Sequence, residues 1–276
     1  VPGADPARWW VQTALSDDRP LRAPDQHVRV SPSKVESFTQ CRLRWLLTST
    51  GGDGPGVGAA TIGALVHDIA HEMGDADAAT LVQAVHARWG RLGMTPGWVS
   101  DRKRAEALDM VGRLAAYVEQ ARGQGWAKVG SELPVSVQVG RAEVTGRVDR
   151  LERDPEGRLR AIDYKTGSKH FNDAAVQEHP QLATYQVAIE RGAFKELGST
   201  SAGAALVQLG KAATRANPPL SQRPLAGHDD PQWAERLVAG VAEGMGGGQF
   251  AATQGEWCKL CPVKGSCPAQ PDGEGI

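Results

Sequence analysis

Apolar positions recur along this chain with a helical period, then a period of two, then a helical period again. The first predicted helix starts near Ser33, where Ser33 and Glu36 form an S-x-x-E capping signature. Val35, Phe38, Trp45 and Leu46 follow at roughly helical spacing, with Cys41 on the side of Phe38. Residues 51–58 are a Gly-rich break. A second helix is predicted over 61–73. Leu65, Ile69 and Met73 form its apolar stripe, and His67 and His71 lie four residues apart on another face. Two more helices are expected over 77–92 and 100–123, the latter carrying Arg102-Lys103-Arg104 near its start.

The period then shifts. Leu133, Val135, Val137 and Val139 alternate within 129–139, which predicts a strand, and 142–152 and 158–165 predict two more. A helix over 174–191, a short apolar strand over 204–209, a Pro-rich loop over 217–224 and a last helix over 230–245 complete the pattern. No internal repeat is visible. Residues 1–30 read as a linker or the tail of a preceding domain, 31–270 as one domain, and 271–276 as a flexible C-terminus.

Composition changes this picture little. The chain has 276 residues, 41% hydrophobic and 23% charged, ordinary for a globular domain. Its net charge of −1 does not advertise nucleic-acid binding, although such binding needs only one basic face. No apolar run approaches the roughly 18 residues of a membrane span, and no signal-peptide pattern opens the chain. A cytoplasmic protein with no membrane partner is the expectation. The first residue is Val1 rather than Met, so a fragment of a longer protein is expected as well.

Chemistry concentrates in residues 144–167, V-T-G-R-V-D-R-L-E-R-D-P-E-G-R-L-R-A-I-D-Y-K-T-G. The turn Asp154-Pro155-Glu156-Gly157 returns the chain antiparallel and brings Asp149 beside Asp163 and Lys165. Val148 and Ile162, apolar and immediately before each Asp, would anchor the strands while their ends project the carboxylates. Two carboxylates would coordinate Mg²⁺ or Mn²⁺, hard cations that prefer oxygen ligands, with the Tyr164 backbone carbonyl in reach. Lys165 would neutralise charge on a phosphate or orient a water. The alternative is ordinary: surface strands often end in Asp, and D-x-K is a common tripeptide.

The four cysteines form a second constellation: Cys41 alone, then C-x-x-C-x5-C at Cys258, Cys261 and Cys267. Disulfides do not suit a non-oxidising compartment. Four thiolates suit either tetrahedral zinc or a [4Fe–4S] cluster, and spacing alone hardly separates these.

The order G-x-V-D-R, about a dozen residues, I-D-Y-K-T-G resembles the PD-(D/E)xK nuclease superfamily, in particular its RecB-like branch. Gly63-Ala64-Leu65-Val66-His67 resembles the branch's G-x-x-x-H helix, Glu132-Leu133-Pro134 its E-x-P strand, and Gln181-Leu182-Ala183-Thr184-Tyr185 its Q-x-x-x-Y helix. The resemblance spans residues 31–268. It implies a restriction-endonuclease-like α/β core, a central mixed β-sheet flanked by helices, with an N-terminal helical region and a C-terminal Cys-rich tail. It also implies a metal set of His67, Asp149, Asp163 and the Tyr164 carbonyl, and catalytic residues Asp149, Asp163, Lys165, Gln181 and Tyr185. Arg42, Arg44, Arg147 and Lys169 are candidate DNA contacts.

The cysteine spacing resembles that of the iron–sulfur subset, the AddB-type and AdnA/AdnB-type helicase–nucleases. The resemblance implies a structural [4Fe–4S] cluster on Cys41, Cys258, Cys261 and Cys267. The function implied is metal-dependent hydrolysis of DNA, at single-stranded or duplex ends, within a helicase–nuclease that resects double-strand breaks for recombination repair. No G-x-x-x-x-G-K-[ST] phosphate loop is present. This stretch is therefore not the motor, and the resemblance implies a helicase motor elsewhere in the same polypeptide and a partner subunit. The competing reading is a nuclease-fold DNA-binding or scaffold domain without cleavage.

Overall fold

The computed structural model describes residues 19–52, 59–167, 169, 171–210 and 218–269, with backbone alone for 59–61. The chain divides into two compact units. One comprises Val1–Pro55, Gln138–Val144 and Glu235–Ile276; the other comprises Gly56–Val137 and Thr145–Ala234.

The first unit opens with strand β1 (Val28–Val30), helix α1 (Pro32–Gln40) and helix α2 (Arg42–Ser49). The α1 cap is Ser31, whose side chain accepts the Lys34 amide, not Ser33. The shift follows from Pro32, which has no N–H to satisfy and a φ already suited to the first helical position. Cys41 ends α1 and its thiol accepts the Arg44 amide at the start of α2, so one predicted helix becomes two. β1, within the stretch read as irregular, pairs in parallel with residues 142–144. Three residues are too few for alternation to show. The unit's later helix carries Gly244, where a Cβ would lie 2.7 Å from the Phe38 ring. Phe38 in turn meets Trp45 edge-on, and Trp45 stacks on Phe250.

In the second unit, helices α3 (Ala59–Met73), α4 (Ala78–Trp89) and α5 (Trp98–Gly123) precede the sheet. Strands β2 (Ala127–Val139), β3 (Ala142–Arg153) and β4 (Leu159–Lys165) follow, then α6 (Asp173–Gln177), α7 (Pro180–Glu190), β5 (Ser201–Gln208) and β6 (Leu220–Gln222). Helix α8 (Trp233–Gly246), almost all of it in the first unit, closes the order. The 174–191 helix is broken, because Pro180 cannot continue the helix before it and instead begins α7. β6 lies inside the loop predicted from its prolines; its three residues pair antiparallel with β5.

The sheet is mixed. β3 and β4 are antiparallel, β4 and β5 parallel, β5 and β6 antiparallel, and β2 pairs with β3. The α6–α7 segment makes the crossover that a parallel β4–β5 pair requires. α3, α4 and α5 pack on one face against Ile162, Tyr164, Ala205 and Val207. α7 meets the opposite face of β4, where its Gln181 reaches Asp163. The unit is thus a central mixed sheet flanked by helices, as expected from the resemblance.

Gly210, just past β5, donates its amide to the Lys165 carbonyl. A Cβ there would run into the Gly167 carbonyl oxygen and crowd that of Thr166. Backbone cannot yield as a side-chain tip can. Gly210→Ala is expected to cost about 2 kcal/mol in urea unfolding, the scale of overpacking. A cost under about 0.5 kcal/mol, within the range of ordinary surface changes, would mean this turn tolerates displacement.

Candidate active site

Strand geometry aims the hairpin. Along β4 the side chains alternate, so Asp163 and Lys165 share one face while Ile162 and Tyr164 share the other. Val148 and Ile162 are fully buried, so each Asp follows an anchored residue. The β3–β4 register pairs Arg150 with Ile162, which sets Asp149 and Asp163 as the next residues outward on the two strands. Asp149 Oδ2 accepts the Tyr164 amide at 2.7 Å, locking the Asp to the neighbouring strand. The Tyr164 ring turns to the helical face, edge-on to His67 and Tyr117.

Three further elements converge. α3 brings His67 Nδ1 to 3.6 Å from Asp149 Oδ1. Four residues earlier, a Cβ on Gly63 would lie 2.8 Å from Thr166 Oγ1, so the glycine lets α3 approach the end of β4. β2 brings Glu132; one donor atom each from His67, Glu132 and Asp149 lie within 4.8 Å of one another. Glu132 has φ 51, the one non-glycine positive φ among the described residues. A bulky residue in that region costs on the order of 1 kcal/mol or more and persists only where its surroundings enforce it. α7 brings Gln181, which donates to Asp163 Oδ1 and accepts from Lys165 Nζ. Lys165 Nζ also stands 2.9 Å from Asp163 Oδ2.

Gln181 therefore holds both chemical ends of the D-x-K motif. Tyr185, one turn on, is buried and donates its hydroxyl to the Arg147 carbonyl, which fixes the approach of β3 to α7. Arg147 itself is exposed, 4.0 Å from Glu132. Lys169 sits over the Phe171 ring at 4.5 Å. Arg42 and Arg44 belong to the other unit, where Arg42 lies over Phe38 and Arg44 donates to Gln40. The participation of Glu132 beside His67 and Asp149 was missing from the metal set read from sequence. The E-x-P match carried the signal, but not the backbone kink that aims the carboxylate.

Three carboxylates here face one contacting ammonium and a neutral-or-charged imidazole. Burial first, then the charges of Asp163 and Glu132, push the Asp149 carboxyl well above the ordinary carboxylate range; the Tyr164 amide and Lys165 pull the other way. Burial, and then the same two aspartates, raise the Tyr185 phenol. Asp149, Asp163 and Glu132 against Lys165 and the exposed Arg147 leave a net negative charge, which a divalent cation would offset. The carboxylate oxygens suit Mg²⁺ or Mn²⁺, with the His67 imidazole the softer donor of the set.

A sign follows for pH. A carboxyl raised in the fold stabilises the metal-free protein most below its unfolded value and loses that contribution as pH rises through the folded value. Metal-free Asp149→Asn is thus expected to melt a few degrees above wild type at pH 8, with the gap closing on acidification. A gap independent of pH would disconnect it from Asp149 ionisation. Glu132→Gln is expected to weaken Mn²⁺ binding by roughly 10–100-fold in calorimetry, the range for groups that support a metal site. Unchanged binding would remove Glu132 from that site.

The four cysteines lie in the first unit and are unbridged. Cys41, Cys258, Cys261 and Cys267 line one small cavity together with Arg44, Thr253, Trp257 and Val263. Cys41 Sγ accepts the amides of Arg44 and Thr253. Among the described residues no three of these sulfurs lie within 4.8 Å of one another.

The sequence model of the PD-(D/E)XK nuclease superfamily matches residues 29–268. The chain belongs to the PD-(D/E)XK nuclease superfamily, whose members are generally nucleases that use divalent metals. No curated protein matches it. Among solved structures, one described as "Crystal structure of SSO0001" is 13% identical, with a TM-score of 0.43 over 88% of this chain and 86% of that chain. The assignment rests on the sequence match, not on that likeness. No helix among the described residues is long and apolar enough to cross a membrane.

Proposed function

We propose that the chain is the DNA-cleaving domain of a cytoplasmic helicase–nuclease, of the RecB-like branch with an iron–sulfur cluster, acting on single-stranded DNA ends during double-strand-break resection. The observation that carries the cleavage reading is that His67, Glu132 and Asp149 bring donor atoms within 4.8 Å of one another, while Asp163, whose charge acts on Asp149, stands beside Lys165. A divalent cation bound there supplies Lewis-acid polarisation of a phosphodiester and a more acidic water. The chain's own groups do the rest. Gln181 fixes Asp163 by one oxygen and leaves the other beside Lys165. Lys165 Nζ, restrained by Gln181, is placed to neutralise charge developing on the phosphate. The Tyr164 amide holds Asp149 in register with Asp163, and the buried Tyr185 keeps β3 at its distance from α7. Tyr185 is then a positioning residue, and Gln181 positions both Asp163 and Lys165.

The iron–sulfur reading draws on the Cys41, Cys258, Cys261 and Cys267 cavity, whose donor set and spacing suit a [4Fe–4S] cluster. Its role would be structural, joining residue 41 to the tail across more than two hundred residues of sequence. The test of function is degradation of end-labelled single-stranded and duplex DNA with and without Mg²⁺ or Mn²⁺. Metal-dependent shortening of the single strand is expected. Tight DNA binding with no cleavage under any divalent metal would favour a scaffold domain.

A further inference from the structure

A second charged site lies in the same unit as the carboxylates, where the ends of α3 and α5 meet the start of β2. It is an open pocket of about 430 Å³ lined by Asp75, Arg122, Trp126, Lys128 and Arg150. That size falls within the range of small-ligand sites. Three cations converge on one carboxylate. Arg150 Nη1 is 2.8 Å and Lys128 Nζ 3.0 Å from Asp75, and Arg122 is 3.6 Å away. Arg150 is almost fully buried and also binds Glu152, which Arg160 shares. The contacts of Arg150 and Lys128 hold Asp75 ionised, below its ordinary range, against the opposing effect of burial.

Charge counting decides what the pocket wants. Four cationic side chains, Arg122, Lys128, Arg150 and Arg160, are joined to two carboxylates, Asp75 and Glu152. Capping accounts for part of the excess: Arg122 donates to the Asp75 carbonyl just past α3. Each helix C-terminus carries about half a negative charge, so the ends of α3 and α5 absorb about one of the two surplus charges. About one positive charge remains, which matches one phosphodiester rather than a dianion. Beside it stands Trp126, with the Arg160 guanidinium 3.7 Å over one face of the indole. Trp126 is half-buried, packed against the hydrophobic core and under the buried Arg160, and borders the pocket. A cation next to an aromatic plate is the pairing that single-stranded nucleic acid uses, phosphate on the charge and base on the ring.

The site also stands at a useful remove. Lys128 precedes Glu132 by four residues on β2, roughly 13 Å of strand. Asp75 follows His67 by eight, roughly 12 Å at the helical rise. Both measures put the pocket a short run of nucleotides from the metal-binding carboxylates, not on them.

We propose that the Arg122–Lys128–Arg150 pocket binds one phosphodiester of a nucleic-acid strand that places another phosphate, a short run of nucleotides away, in the carboxylate site, with a base stacked on Trp126. This deepens, and rests on, the nuclease reading. Lys128 and Arg122 touch the phosphate at the rim, and Arg150 supplies fixed charge from below.

The test is the affinity of the full chain for a fluorescent single-stranded oligonucleotide, measured by anisotropy in EDTA over a range of salt. Arg122→Gln/Lys128→Gln is expected to bind about 5–10-fold more weakly. Its salt slope should be shallower by roughly 0.7, the share of one neutralised phosphate on a single strand. Trp126→Phe should bind as wild type, and Trp126→Leu about tenfold more weakly, the scale of one stacked base. Unchanged affinity and slope in the double variant overturn the phosphate site; equal binding by the Phe and Leu variants overturns the stacking. Inorganic phosphate that displaces the strand as well as a nucleoside monophosphate does would show a free-anion site and also overturn it. Should the double variant melt early, Arg122→Gln carries the same test, its side chain being more than half exposed. Binding is read in EDTA and cleavage separately with Mg²⁺ or Mn²⁺, so the outcomes separate. A wild type that binds in EDTA but never cuts with either metal sinks the nuclease reading, while one that cuts with metal, with variants of unaltered affinity, sinks only this pocket.

Discussion

Asp163→Asn is expected to degrade DNA at least about a thousandfold more slowly than wild type and to melt within a few degrees of it. The loss is large because Asp163 contributes one of the charges that converge with Asp149 beside Lys165. Removing a single preorganised transition-state donor already costs about 10²–10³ in rate, and here the metal-binding charge goes as well. The fold should survive because two effects oppose. The amide loses part of its pairing with Lys165 and must turn to suit Gln181, but the repulsion between Asp163 and Asp149 also disappears. Asp163→Ala removes the side chain outright and leaves Lys165 with Gln181 alone, so it should share the catalytic loss and melt lower. Cleavage above about a tenth of wild type by either variant would end the assignment, since a tenfold change is about 1.4 kcal/mol of barrier. The readout is single-turnover cleavage of labelled single-stranded DNA with circular dichroism melts of both proteins.

The second large effect is expected at the cysteines. Anaerobically purified protein should carry about four irons per chain, as a [4Fe–4S] cluster on four thiolates requires. Cys41→Ser should lose that iron and be destabilised by several kcal/mol. Cys41 and Cys258 are separated by more than two hundred residues, and closing so long a loop removes on the order of 5 kcal/mol of unfolded-chain entropy in the cross-link model. Cys41 is also buried and accepts two backbone amides, one of them from Thr253 in the tail, so its substitution loosens α2 and the tail together. Colourless protein with one zinc per chain after anaerobic preparation would refute the cluster and restore zinc as the ligand of the cavity. The two predictions are separable, because the carboxylates and the cysteines belong to different units of the chain.

Much of this fold is legible in the sequence. Long periodic segments announce α3, α4 and α5, and alternation announces β2, because each buries one face over enough residues for its period to repeat; β4, buried on both faces, is announced by its apolar run and the turn before it. Short elements are not legible. β1 and β6, three residues each, exist because they pair with strands already formed. The break before Pro180 is visible as a proline, yet the apolar pattern on both sides runs through it. Ser31 outranks Ser33 as a cap because of the Pro between them, a competition that capping preference alone does not resolve.

The same division runs through the candidate site. Sequence by itself determined the acid and base inventory: Asp149 and Asp163 after anchored apolar residues, Lys165 two positions on, His67 behind Gly63, and four cysteines in a one-plus-three spacing. Residue type and local period carry that, since a strand of known phase fixes which side chains share a face. Only the tertiary structure decided what those groups touch. It gave Gln181 a grip on both Asp163 and Lys165. It turned Glu132 toward His67 through a positive φ that no propensity favours. It also gathered Arg122, Lys128 and Arg150, drawn from a helix end and two strands, around Asp75. Charge balance, burial and reach depend on distances between residues far apart in the chain, and packing sets those distances.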